Sequence, residues 1–100
     1  METIRIQYPE IQTESMKKKF WPLVQKELER SNCQEYKIFS RAERSGEAMV
    51  MIYWTRENFD PKGSRISHTL ISEIKKYGLL DYCTWIDMFP TIVKRKENKL

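Results

Sequence analysis

Apolar positions along this chain change their period several times, and each change marks an element. Ile4, Ile6 and Tyr8 alternate with Arg5 and Gln7 until Pro9 stops the pattern, which is the period of a half-buried strand. From Thr13 the spacing becomes four: Met16, Phe20, Val24 and Leu28 recur with Leu23 beside them, while Lys17, Lys18, Gln25 and Glu29 face away. An amphipathic helix follows, with Thr13 as its N-cap, Glu14 in the first turn where the dipole favours a carboxylate, and Ser31-Asn32 as the end signal. Pro22 removes a backbone donor and crowds the preceding turn, so a kink or break is expected near Trp21.

Tyr36, Ile38 and Ser40 alternate with Lys37, Phe39 and Arg41, and the turn-like stretch Ala42 to Glu47 leads into the β-branched and aromatic run Ala48 to Thr55. This is a β-hairpin. Its second arm puts Ala48, Val50, Ile52 and Trp54 on one face and Met49, Met51, Tyr53 and Thr55 on the other, so a central position is expected. Arg56 to Gly63 is a loop, after which Ser64 caps a second helix with the stripe Ile66, Leu70, Ile71, Ile74 and Tyr77. Gly78 stands at its C-terminal boundary, where a left-handed residue is expected. Tyr82 to Phe89 returns to strand chemistry and stops at Pro90, and Thr91 to Val93 extends or re-enters the sheet.

The order β, α, β, β, α, β is that of the ferredoxin-like fold: an α+β domain with a four-stranded antiparallel sheet and two helices on one face. Residues 1–93 form the single domain and residues 94–100 a charged C-terminal tail. The other sheet face is left open, and function is expected to use it.

Composition narrows the classes. The chain has 100 residues, 12% of them aromatic, and a net charge of +4; it is large enough for one core and too aromatic for disorder. The apolar run Ala48 to Trp54 falls well short of the roughly 18 residues of a membrane span. Neither a signal peptide nor a membrane contact is expected, and a cytoplasmic location follows. Cys33 and Cys83 stand alone, which suits two free thiols and no zinc site. No metal and no cofactor is expected.

The single histidine, His68, lies off the apolar stripe, and there is no Ser/His/Asp set, HExxH or dinucleotide glycine pattern. The chain therefore reads as a binding module rather than an enzyme. Small ferredoxin-like dimers resembling the antibiotic-biosynthesis monooxygenases, which enclose apolar substrates with few polar groups, mark the enzymatic alternative.

Three binding readings compete. Met49, Met51, Tyr53, Trp85 and Phe89 on the open face would form an apolar patch that needs a cover, either a second copy or a foreign protein. Nucleic acid, RNA or single-stranded, would stack on Tyr8, Tyr53 and Trp85, with Arg5, Lys37, Arg41 and the tail residues Lys94, Arg95 and Lys96 meeting phosphates. Against it, Glu47 and Met49 occupy positions where an RNA-recognition module carries aromatics. The loop Asp60-Pro61-Lys62-Gly63-Ser64-Arg65 offers a helix start flanked by Lys62 and Arg65, an arrangement open to an anion. Residues 1–60 carry ten basic and ten acidic side chains, whereas residues 61–100 carry eight and four, so the positive excess lies wholly in the second part. That balance favours a protein-binding, regulatory or inhibitory module, with a homodimer among its forms.

Overall fold

The computed structural model describes residues 1–42, 46–86 and 88. Strands β1 (Glu2–Gln7), β2 (Glu35–Ser40), β3 (Glu47–Tyr53) and β4 (Leu79–Thr84) form one antiparallel sheet in the order β2-β3-β1-β4. Helices α1 (Thr13–Ser15), α2 (Trp21–Arg30) and α3 (Arg65–Ile74) complete the βαββαβ order of the ferredoxin-like fold. β3 and β1 are the two inner strands, as the doubly apolar run of β3 requires.

The alternation of β1 divides the molecule. Glu2, Ile4 and Ile6 are buried on the helical side, and their register partners Ile52, Val50 and Ala48 on β3 share that side. Met16, Phe20, Val24 and Leu28 from the first helical arm and Leu70 and Ile74 from α3 close the core over them.

A strict spacing of four in that first arm drifts by about 40° per step in an α-helix of 3.6 residues per turn. The arm corrects the drift with a wider π turn over Met16–Phe20, where the Trp21 amide donates to the Met16 carbonyl. The irregularity expected near Trp21 is this turn, and Pro22 follows it in the first turn of α2, where a missing amide costs least. All four stripe residues thereby stay buried.

Three sequence expectations shift. Winding starts at a 3-10 turn over Glu10–Gln12 behind an extended Pro9, so Thr13 is already helical (φ −54°, ψ −47°) and is not an N-cap. Its Oγ1 is buried with no hydrogen-bond partner. Strand β4 spans Leu79–Thr84, not Tyr82 to Phe89, because it pairs along the whole of β1, from Gln7 opposite Leu79 to Glu2 opposite Thr84. Gly78 does not adopt a positive φ. It is required by space: a Cβ there would lie 2.1 Å from the Gln7 carbonyl oxygen and 2.9 Å from Tyr8 Cα. Phe89, Thr91 to Val93 and the tail at 94–100 lie outside the described residues.

The crossing of backbones at Gly78 generates a test. Replacing Gly78 with Ala should destabilise the protein by roughly 1–3 kcal/mol, the range for overpacking a fixed contact. Urea titrations would show a lower midpoint for Gly78→Ala, and none for Lys75→Ala on the exposed side of the same turn; equal midpoints would contradict the close approach.

Candidate functional site

Glu2 is fully buried at the start of an inner strand, and the surrounding chain satisfies it completely. Oε1 accepts from the Tyr82 hydroxyl at 2.6 Å and the Ser64 amide at 2.8 Å, and Oε2 accepts from Trp54 Nε1 at 2.6 Å and the Ser64 hydroxyl at 2.7 Å. Two donors per oxygen fill the acceptor positions of a carboxylate. Ser64 also accepts from the Ser67 amide at 3.1 Å and so caps α3 as its sequence position suggested.

Burial is the largest influence on Glu2 and pushes its carboxyl up, but the hydrogen bonds from Tyr82, Ser64 and Trp54 together outweigh it and leave the group below the ordinary carboxylate range. Burial, and then the bond to Glu2, push the Tyr82 phenol well above its usual value. Gly63 completes the corner with φ +100°, and a Cβ on it would lie 2.6 Å from the Tyr82 oxygen.

This corner settles where the loop's donors go. The Ser64 amide serves Glu2, the Lys62 amide bonds Asp60 Oδ1 at 2.9 Å and the Gly63 amide bonds the Asp60 carbonyl at 3.0 Å. The anion at this helix start is the protein's own carboxylate. Lys62 and Arg65 are exposed beside it, and His68 is exposed on α3.

Among the described residues no helix packs on the other sheet face, the open one, which is built by the opposite parity. The registers place Glu35, Lys37 and Phe39 of β2, Met49, Met51 and Tyr53 of β3, Thr3 and Arg5 of β1, and Asp81 and Cys83 of β4 on it. Trp85 joins them just beyond β4, its Nε1 donating to Thr3 Oγ1 at 2.9 Å. Met51, Met49 and Thr3 lie on the two inner strands, Phe39 lies on the edge strand β2, and Phe39 and Trp85 are 43% and 53% exposed.

Four of the five interface residues expected from the sequence therefore share one face; Phe89 lies outside the described residues. Arg5, Lys37 and Arg41 share that face, but each has an acidic neighbour: Asp81 is the register partner of Arg5, Glu35 is 4.0 Å from Lys37, and Glu47 is 2.7 Å from Arg41. Lys62 and Arg65 sit with the helical layer, away from this face, and Lys94, Arg95 and Lys96 lie outside the described residues. Tyr8 packs against the core.

Sequence reading missed Phe39 as an interface residue and Glu2 as a buried group. The signal for Glu2 was present in its parity with Ile4 and Ile6.

Among the described residues, no group of three or more His, Cys, Asp or Glu side chains could hold a metal ion, and no helix is long and apolar enough to cross a membrane. Cys33 and Cys83 are free thiols.

No protein-family model matches the chain, and no curated protein matches it significantly. Among solved structures, Rv0793 from Mycobacterium tuberculosis superposes with a TM-score of 0.54 at 14% sequence identity, over 86% of this chain and 94% of that one. At this identity the likeness is one of fold, and it supports the small α+β assignment.

The Glu2 corner makes stability depend on acid. A carboxyl depressed in the folded state contributes its full stabilisation above its unfolded value of about 4.3, and that contribution is lost as pH falls through the folded value. Thermal melts from pH 7 to pH 3 should show the wild type losing stability below about pH 4.3. Glu2→Gln turns an amide NH2 toward donors, so at pH 7 it should cost roughly 2–4 kcal/mol. Its acid dependence should also be flatter; parallel profiles for the two proteins would assign the dependence to other groups.

Proposed function

We propose that this chain is a non-catalytic binding module that docks its open sheet face on a protein surface, in a regulatory or inhibitory role. The observation that carries this reading is the composition of the face: Met49, Met51, Phe39, Tyr53 and Trp85 occupy it, and its charges balance, with Arg5, Lys37 and Arg41 against Glu35, Glu47 and Asp81. Whole-chain charge is +4, so the face is less positive than the molecule that carries it.

Backbone phosphates are bound through unneutralised Lys and Arg, and a balanced face supplies little of that field. Methionine and aromatics, by contrast, are the residues enriched where proteins meet. A second copy is the simplest occupant. In a two-fold pairing each residue meets its counterpart's surroundings, and a face bearing Arg5 beside Asp81 offers its own complement.

Light scattering at low and high salt tests this directly. A dimer mass that persists at high salt is expected, because apolar contacts are not screened. Met51→Glu, which would bury a carboxylate at the centre of the contact, should weaken association by about 100-fold or more while the far-ultraviolet circular dichroism stays unchanged. A monomer at every salt whose mass rises only when single-stranded RNA or DNA is added at low salt would overturn the reading.

A further inference from the structure

At one end of the sheet, where β1 begins and β3 and β4 finish, lies a pocket of about 700 Å³. Four of its walls are aromatic: Tyr53 and Trp54 at the end of β3, Phe59 in the loop before α3, and Trp85 after β4. The volume falls in the range of sites for small organic ligands, which are characteristically apolar with a few polar groups.

Two features show what the pocket is built to hold. First, both indoles are fixed before any ligand arrives. Trp54 donates its Nε1 proton to Glu2 and Trp85 donates its own to Thr3, and these consecutive residues of β1 point to opposite faces of the sheet. The two rings are thus anchored on either side of the strand end, with their only polar atoms spent. They offer the site ring surface and nothing that must be solvated.

Second, the rim backbone is also satisfied: the Trp85 amide donates to the Met1 carbonyl and the Gln34 amide to the Tyr53 carbonyl, each at 2.7 Å. The polar groups of the residues lining the pocket are the Arg56 and Gln34 side chains, both exposed, the Tyr53 hydroxyl, and the Met1 ammonium, which donates to the Trp85 carbonyl at 2.8 Å. The guanidinium is planar, always charged, and matched to a carboxylate through paired N–H donors.

From these walls and the Arg56 guanidinium we infer that the pocket binds a small planar aromatic molecule carrying a carboxylate, its ring packed among the aromatic walls and its anion on Arg56. The pocket shares Tyr53 and Trp85 with the sheet face proposed to dock, but Met51, on the inner strand β3 of that face, does not line it.

The test is isothermal titration calorimetry of the intact protein with 2-naphthoate and with its neutral analogue 2-naphthylmethanol. Saturable one-to-one binding of naphthoate is expected. Arg56→Ala should weaken naphthoate by about tenfold or more and leave the alcohol unchanged, since a charge-assisted pair is lost and the ring contacts remain. Trp85→Ala, whose fold is checked by its melting curve, should weaken both ligands.

Met51→Glu, which disrupts the sheet face, should alter neither affinity, so the failure of one proposal is told apart from the failure of the other. Absence of saturable naphthoate binding up to millimolar concentration, or wild-type affinity in both Arg56→Ala and Trp85→Ala, would overturn the inference.

Discussion

A single buried carboxylate ties together parts of the chain that are far apart in sequence. Glu2 receives its hydrogen bonds from Trp54, Ser64 and Tyr82, so it joins the first strand to the end of the third, to the start of the last helix and to the fourth strand. An ionised group without partners in this position would be costly. With each oxygen doubly bonded it becomes a specific joint, because an apolar residue of similar size would fill the space without telling Trp54, Ser64 and Tyr82 where to point. The same joint holds the N-cap of α3, which in turn orients Leu70 and Ile74 into the core.

The joint also changes how the charged residues near it are understood. A helix start flanked by Lys62 and Arg65 has the chemistry of an anion site, and it does hold an anion, one supplied from within. Arg5, Lys37 and Arg41 undergo a parallel change on the open face. In sequence they look like scattered phosphate contacts; in the sheet each lies beside Asp81, Glu35 or Glu47. Antiparallel pairing brought Asp81 to Arg5 from β4 and Glu47 to Arg41 from β3, whereas Glu35 lies two residues from Lys37 on β2 itself. The apolar residues of the face are unaffected by that cancellation, which is why they dominate its character.

The legible parts of the fold were those governed by local periodicity. The Met16-Phe20-Val24-Leu28 stripe, the Ser64 cap and the two-faced run of β3 each express their structure within about ten residues, and the order of elements then leads to the ferredoxin-like sheet. What could not be read depends on pairing across the chain. The bounds of β4 are set by the length of β1, not by the Tyr82 to Phe89 composition. Gly78 is needed because Gln7 and Tyr8 pass beside it, a contact between segments some seventy residues apart in sequence. The pocket likewise assembles from Gln34, the β3 end, the following loop and the end of β4. Thr13 misled for a local reason: Pro9 lets winding begin one turn earlier, which turns a capping residue into an interior one.

Register connects these observations. Side chains on β1 alternate with a period of two, so slipping β1 by one residue against β3 and β4 would turn Glu2, Ile4 and Ile6 outward and Thr3, Arg5 and Gln7 into the core. Apolar packing alone opposes the slip through two isoleucines. Glu2 opposes it through geometry as well, since its partners come from three separate segments and cannot all follow a shift of one residue. The bond between Thr3 and Trp85 fixes the same register from the opposite side of the sheet. Two consecutive residues, one facing inward and one outward, thus hold the strand in place and at the same time position the two indoles that flank its end. The core, the apolar face and the aromatic pocket all follow from one alignment of one strand.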